Sequence, residues 1–180
     1  MDFFKLIAKR RSIRKYQEKK VEPEKVALIV EAALRSPSAK DLQPWEFIVV
    51  SDRKIIDELA KAKQAGSSFL AGAPLAIVVC GESERSDVWL EDVSIASIFI
   101  SLAAEAAGLG NCWIQIRERK HDATQMAEEF VREVLKIPQN LRVESIIAIG
   151  YSDEQKPGHS KEELQFGKIF SNAHGCKFEI

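Results

Sequence analysis

Neither sign of charge dominates this chain: 26 lysines and arginines meet 27 aspartates and glutamates, for a formal net charge of −1. That excludes the broad positive field that draws a protein onto nucleic acid. Cysteine is scarce. Cys80, Cys112 and Cys176 are odd in number, far apart and never spaced C-x-x-C, which argues against a disulfide or zinc framework and fits reduced thiols in a cytoplasm. His121, His159 and His174 stand alone, without a second His or Cys at ligand spacing, so no metal is expected. Also missing are a G-x-S-x-G elbow, a Walker A sequence and a G-x-G-x-x-G turn following a strand, so no serine-hydrolase, P-loop or Rossmann site is supported. The most apolar segment, "VSIASIFISLAAEAAGLG", is short of a membrane span and carries Glu105, so it reads as a buried helix. The start, "MDFFKLIAKRR", places apolar residues before charges, the reverse of a secretory signal. A cytoplasmic protein that engages neither membrane nor nucleic acid is the expectation.

What is present suits a single globular domain over residues 1–180, since 46% of the chain is hydrophobic and no linker, repeat or low-complexity tract interrupts it. "DFFKLIAK" predicts a short helix behind an Asp2 cap, and a second helix runs from about Pro23 to Arg35 on the stripe Val26, Ile29, Val30, Ala33 and Leu34. "SPSAKDLQP" then forms an ordered loop. "WEFIVV" predicts a strand and "DRKIIDELAKAKQ" a helix. "PLAIVVCG" is a strand apolar enough to be buried on both faces. A long helix from about Asp87 to Ala107 is apolar nearly all round after Val93 and must be covered by its own domain or by another subunit. "CWIQI" and "RVESIIAIG" are further strands, with an amphipathic helix, "ATQMAEEFVREVLKI", between them. The pattern is a mixed α and β chain with four or five strands.

Three stretches are candidates for a site. "KRRSIRKYQ" has five cations in its first seven residues and no acid. Cations in the last turn of a helix are favoured by its dipole, so a solvated helix end explains some of them. Arg10, Ser12 and Arg14 alternate, however, and an extended segment would point them to one side, two guanidinium forks and a hydroxyl suited to a phosphate. In "RSPSAKDLQPWEF", Pro37 and Pro44 fix a turn and the serines cap it, which leaves the Gln43-Pro44-Trp45 run without a role. In "AAGLGNCWIQI" the glycines end a helix and also let backbone approach a ligand closely. Cys112 reads as core. So few side chains suit acid or base work that the chemistry is expected to be carried by a cofactor.

Taken in order and spacing, "KRRSIRKY", "SPSAKDLQPWEFIVV", "APLAIVV", "DVSIASIFISLAAEAAGLGNCWI" and "RVESIIAIGY" resemble the flavin-dependent nitroreductase family over nearly the whole chain. The resemblance implies an α+β fold with a central four- to five-stranded sheet packed by helices. It also implies an intertwined homodimer with FMN at the subunit interface, its C-terminal tail, about 165–180, packed on the partner. Arg10 and Ser12, with Arg11 beside them, match positions that bind the FMN phosphate, and Arg14 matches the cation reaching the ribityl chain and the N1/O2 edge of the ring. Pro37, Ser38 and Ala39 match the loop laid against the flavin from the other subunit. Leu109 and Gly110 match backbone near the ring, Gln64 aligns with a ring contact, and Lys156 aligns with a second phosphate cation.

Departures from the family pattern are specific. Asp41 stands where the loop commonly has Asn and would put a carboxylate on the substrate side. Gly158 and His159 surround the place of a further phosphate cation. Ile98 and Phe99 replace a common Gln-Asn. The implied activity is hydride transfer from NADH or NADPH through flavin N5 to a small organic acceptor such as a nitroaromatic or quinone, in a ping-pong cycle, with no catalytic side chain and no metal. Alternatives are ene reduction or dehalogenation on the same scaffold, or a non-catalytic FMN- or anion-binding protein. The brief "GESERSDVWLED" favours the plain reductase.

Overall fold

The structure, a computed structural model, describes residues 2–179; Met1 and Ile180, the last residue of the predicted tail, lie outside the described residues. Its frame is a four-stranded antiparallel sheet in the order β1-β2-β4-β3: β1 is Trp45–Val50, β2 Leu75–Glu82, β3 Gly110–Gln115 and β4 Leu141–Gly150. The two most apolar strands, β2 and β4, are the central ones, because only they are covered on both faces. Period-two alternation divides their side chains between two cores. Val78, Cys80, Ile146 and Ala148 pack with α3 (Arg53–Leu59) and α5 (Ala127–Leu135). Ile77, Val79, Ile147 and Ile149 pack instead with α2 (Pro23–Leu34) and α4 (Trp89–Ala106). Burial pushes the Cys80 thiol up to about 12, so it is an inert core group.

Local chemistry sets the helix limits. Asp2 caps α1 (Phe3–Lys9) by accepting the Phe4 N–H at 3.1 Å, and a proline opens α2. Two helices are shorter than their sequence patterns. α3 stops at Leu59 because the Ser67 hydroxyl donates to the Ala60 carbonyl (2.9 Å) and accepts the Lys63 N–H (3.1 Å), folding residues 60–66 into turns and placing Gln64 there. α5 starts at Ala127 because the Asp122 carboxylate accepts the Thr124 and Gln125 amides at 2.7 and 2.8 Å. No helix among the described residues is long and apolar enough to cross a membrane.

The long helix α4 is apolar nearly all round, as expected. Val93, Ala96, Ile100 and Ala104 are buried against the sheet, whereas Ile95, Ile98 and Phe99 remain exposed. This chain covers one side of the helix and leaves the other uncovered.

A buried carboxylate lies within the sheet. Between β2 and β4 the register shifts, Val79 facing Ser145 and Cys80 facing Val143, so Glu144 forms a bulge. Its side chain is buried: Oε1 accepts from Gln115 Nε2 at 3.0 Å, while Oε2 has no hydrogen-bond partner. Burial raises this carboxyl above its ordinary pKa. The folded state therefore favours the protonated acid, and stability is lost as pH rises from the unfolded carboxyl's range through the raised folded value. Glu144→Gln keeps an acceptor for Gln115 and removes the charge. We expect it to be more stable than the parent at about pH 8, with the difference shrinking toward about pH 4, as read from urea unfolding midpoints at each pH.

Candidate functional site

Past α1 the chain becomes an extended strap that is laced to two neighbours. On one side it meets the outer edge of β3: Ser12 bridges Asn111 in parallel, and the Ile13 N–H donates to the Asn111 carbonyl at 2.9 Å. Gly110 makes this approach possible, since a Cβ there would lie 2.9 Å from the Ile13 side chain. On the other side the segment leaving β4 runs antiparallel to the strap. Gln17 N–H donates to the Tyr151 carbonyl and Asp153 N–H to the Lys15 carbonyl, both at 2.9 Å. Lys156 Nζ donates to the Ser12 carbonyl at 2.9 Å, and the Arg11 guanidinium donates to the Pro157 carbonyl. The lacing ends where Gly158 lies on the C-terminus of α1, its missing side chain making room for the Ala8 carbonyl.

Beside this strap is a cleft of about 600 Å³, a volume suited to a cofactor. Its lining carries Lys9, Arg11 and Lys156 as cations, Glu105 and Glu154 as acids, and Ile13, Leu109 and Pro157 as apolar surface, with Gly108 and Gly110 between. Of the residues expected from the sequence, Arg11, Leu109, Gly110 and Lys156 line this cleft. Arg10 is still the C-cap of α1, its N–H bonded to the Leu6 carbonyl, and together with Lys9 it offsets the burial that raises the Glu105 carboxyl.

Ser12 and Arg14 sit across the strap by Cys112. Burial raises that thiol, and Arg14, the Ser12 hydroxyl and Lys156 pull it back by smaller amounts, so it is a neutral core group with cations around it. The Arg14 guanidinium also lies 5.7 Å from the centre of the Phe69 ring, on the 3-10 turn Ser68–Gly72 that follows the Gln64 turn. Alternation along the strap thus pairs Ser12 with Arg14 as expected. Arg10 is not beside them but at the helix end, because the strap is extended only past that residue.

Pro37, Ser38, Ala39 and Asp41 are elsewhere. Their loop docks on the first turn of α4, where the Ala39 N–H donates to Asp92 Oδ1 at 2.9 Å. Asp92 is buried, and its Oδ2 accepts from the Ser86 hydroxyl at 3.2 Å. Glu105 of the cleft is on the same helix 13 residues later, so at 1.5 Å per residue the two ends are roughly 20 Å apart. The loop has a fixed shape: Lys40, Asp41 and Gln43 all have positive φ, at 52°, 55° and 47°. Gln43 holds them, its N–H donating to Ser38 Oγ and its side-chain amide to Asp41 Oδ1, each at 2.9 Å.

Sequence reasoning missed Glu154, Glu105 and Asp92. Glu154 Oε1 accepts from the Arg14 N–H (2.5 Å), the Lys15 N–H (3.2 Å) and Lys156 Nζ (2.9 Å). The signal was faint: "SDEQK" at a strand end looks like any solvated turn. Asp92, in "LEDVS", resembles an ordinary first-turn acid. No cluster of His, Cys, Asp and Glu able to hold a metal occurs among the described residues.

Fold and cleft together define an α+β protein with helices on both faces of an antiparallel sheet and a mixed-charge, cofactor-sized cleft at its β3 edge. Comparison narrows the class. The model of the "Nitroreductase family" matches residues 7–67 and 60–151, and the chain belongs to that family. It is similar to an FMN-dependent nitroreductase from Clostridium difficile R20291, at 47% identity and a TM-score of 0.92, over 93% of this chain and 98% of that one. A protein of Archaeoglobus fulgidus, provisionally named NADH dehydrogenase/NAD(P)H nitroreductase, is 36% identical over 163 residues, covering 88% of this chain and 90% of the relative. An iodotyrosine deiodinase of Thermotoga neapolitana is 24% identical, covering 89% of this chain and 94% of its own.

The Gly158 contact generates a test of the lacing. Gly158→Ala forces a methyl against the Ala8 carbonyl and should cost about 1–3 kcal/mol, the usual penalty of overpacking. Urea unfolding measures it; a variant as stable as the parent would show that the 151–158 segment does not need its close seat on α1.

Proposed function

We propose that the chain is an FMN-dependent oxidoreductase that passes hydride from NADH or NADPH to a small organic acceptor such as a nitroaromatic or quinone. In this reading it works as a homodimer whose two sites lie at the subunit interface. The observation that carries the reading is the separation along α4. One end of the helix bears a charged cleft laced by the strap, and the other bears a shaped loop, roughly 20 Å away. Two such chains packed through the exposed Ile95, Ile98 and Phe99 would bring the loop of one to the cleft of the other.

The residues fit the cofactor by chemistry. Arg11 and Lys156 in the cleft lining are cations suited to a phosphate, while Ile13, Leu109 and Pro157 offer apolar surface to a flat ring, and Ser12 and Arg14 lie on the other side of the strap by Cys112. When bound, FMN supplies the hydride chemistry at its N5. By the family match, Arg10, Arg11, Ser12 and Lys156 would hold the phosphate; Arg11 and Lys156 line the cleft, Arg10 caps α1 and Ser12 lies across the strap. Arg14 would supply a fixed positive charge to the ring as it gains negative charge on reduction. Pro37, Ser38 and Ala39 of the partner's loop would exclude water from the ring, Gln64 and the Leu109–Gly110 backbone would position it, and Asp41 would set a carboxylate on the acceptor side. Only residues 83–88 connect β2 to α4, and this brevity supports an open pocket over the lidded sites of dehalogenation.

The deciding measurement is on the purified protein. Bound yellow flavin, identified as FMN, should bleach on anaerobic addition of NADH or NADPH and recover with a quinone or nitroaromatic. Flavin that neither nucleotide bleaches would leave a binding protein and sink the reductase. Arg10→Ala should weaken FMN binding by about 1.5–3 kcal/mol, the worth of a hydrogen bond to a charged group. An unchanged dissociation constant on fluorescence titration would remove Arg10 from the phosphate site.

A further inference from the structure

Glu154 is the unexpected member of the cleft. Its Oε1 accepts two backbone amides of the strap and the Lys156 ammonium, and the side chain is 18% exposed against 26% for Lys156. These hydrogen bonds, the Arg14 amide first and then Lys156, hold the carboxyl below the usual Glu range, so it is an anion at neutral pH. Lys156, which aligns with a phosphate-binding cation, is therefore already engaged: its Nζ contacts are the Glu154 carboxylate and the Ser12 carbonyl, both at 2.9 Å. Arg11 is likewise engaged on the Pro157 carbonyl. The Arg14 and Lys15 amides of the strap and the Lys156 ammonium converge on an oxygen anion supplied by the chain itself.

We propose that Glu154 sets how strongly this site discriminates between phosphorylated and unphosphorylated flavins, its carboxylate competing with the ligand phosphate for Lys156 and adding a fixed negative charge beside it. The inference rests on the FMN reading for the identity of the ligand, though not for the competition itself. A phosphate dianion within a Debye length of Glu154 is repelled by it, and part of the attraction from Lys156 is cancelled. Riboflavin, which has the ring and ribityl chain but no phosphate, does not feel either effect. A carboxylate that merely braced the strap would affect both flavins alike.

The test compares FMN and riboflavin titrations of flavin-free full-length protein. Glu154→Gln keeps an acceptor oxygen for the Arg14 and Lys15 amides and removes the charge, so the ratio of FMN to riboflavin affinity should rise about tenfold. Lys156→Gln should lower the ratio, and adding Glu154→Gln to it should raise the ratio again, which guards against a fold-specific artefact of either single variant. A ratio that stays constant or falls in Glu154→Gln overturns the proposal. A flavin-free arm uses inorganic phosphate, which should raise the melting temperature of Glu154→Gln more than that of the parent. Equal shifts count against the proposal whatever the flavins do. If the parent takes up neither flavin while phosphate still favours the variant, the FMN reading fails and the anion competition stands.

Discussion

The site depends on one lacing: residues 10–17 held between the edge of β3 and the segment that leaves β4. Neither the strap nor the 151–158 segment belongs to a regular element, and each would be slack without the other. Their order comes from backbone and side-chain bonds that run from Gln17 with Tyr151 to Arg11 with Pro157, beyond which Gly158 packs closely on Ala8. The sheet anchors this pair through Ile13, which is buried over Gly110, and through Tyr16, whose hydroxyl donates to the Ile13 carbonyl at 2.5 Å. Every candidate phosphate ligand is on the strap or is bonded to it. A glycine at 110 and another at 158 are thus the two places where close backbone packing fixes the position of charge.

The two-sided sheet supplies the rigidity behind this arrangement. β2 and β4 are buried on both faces, so the edge strand β3 is held by a core that cannot shift without opening two hydrophobic clusters. α4 lies along one face and acts as a spacer. Its buried side is committed to the sheet, its N-terminal turn holds the 37–41 loop through Asp92, and its C-terminal turn brings Glu105 to the cleft.

Much of the fold was legible because its signals are local or periodic. The all-apolar runs of β2 and β4, the Asp2 cap, the proline opening α2 and the all-round hydrophobicity of α4 each reflect one residue's preference or a repeating pattern. Family resemblance located the strap and the loop. What could not be read depends on long-range placement. Ser67 ending α3 and Asp122 delaying α5 are polar side chains whose partners exist only once the chain has turned. Glu154, Glu105 and Asp92 were hidden for the same reason: an acidic residue in a turn or a first helical turn is ordinary until the fold gives it two amides or a buried seat. Gly158 looked like the loss of a cation, and the structure shows a backbone seat on α1.

The length of α4 also bears on how lesions combine. In the proposed dimer each site joins the strap of one subunit to the loop of the other. A chain damaged in its strap and a chain damaged in its loop, once paired, would concentrate both defects in one site and leave the second site assembled wholly from sound parts. Two inactive alleles of this gene could therefore complement each other within a single dimer.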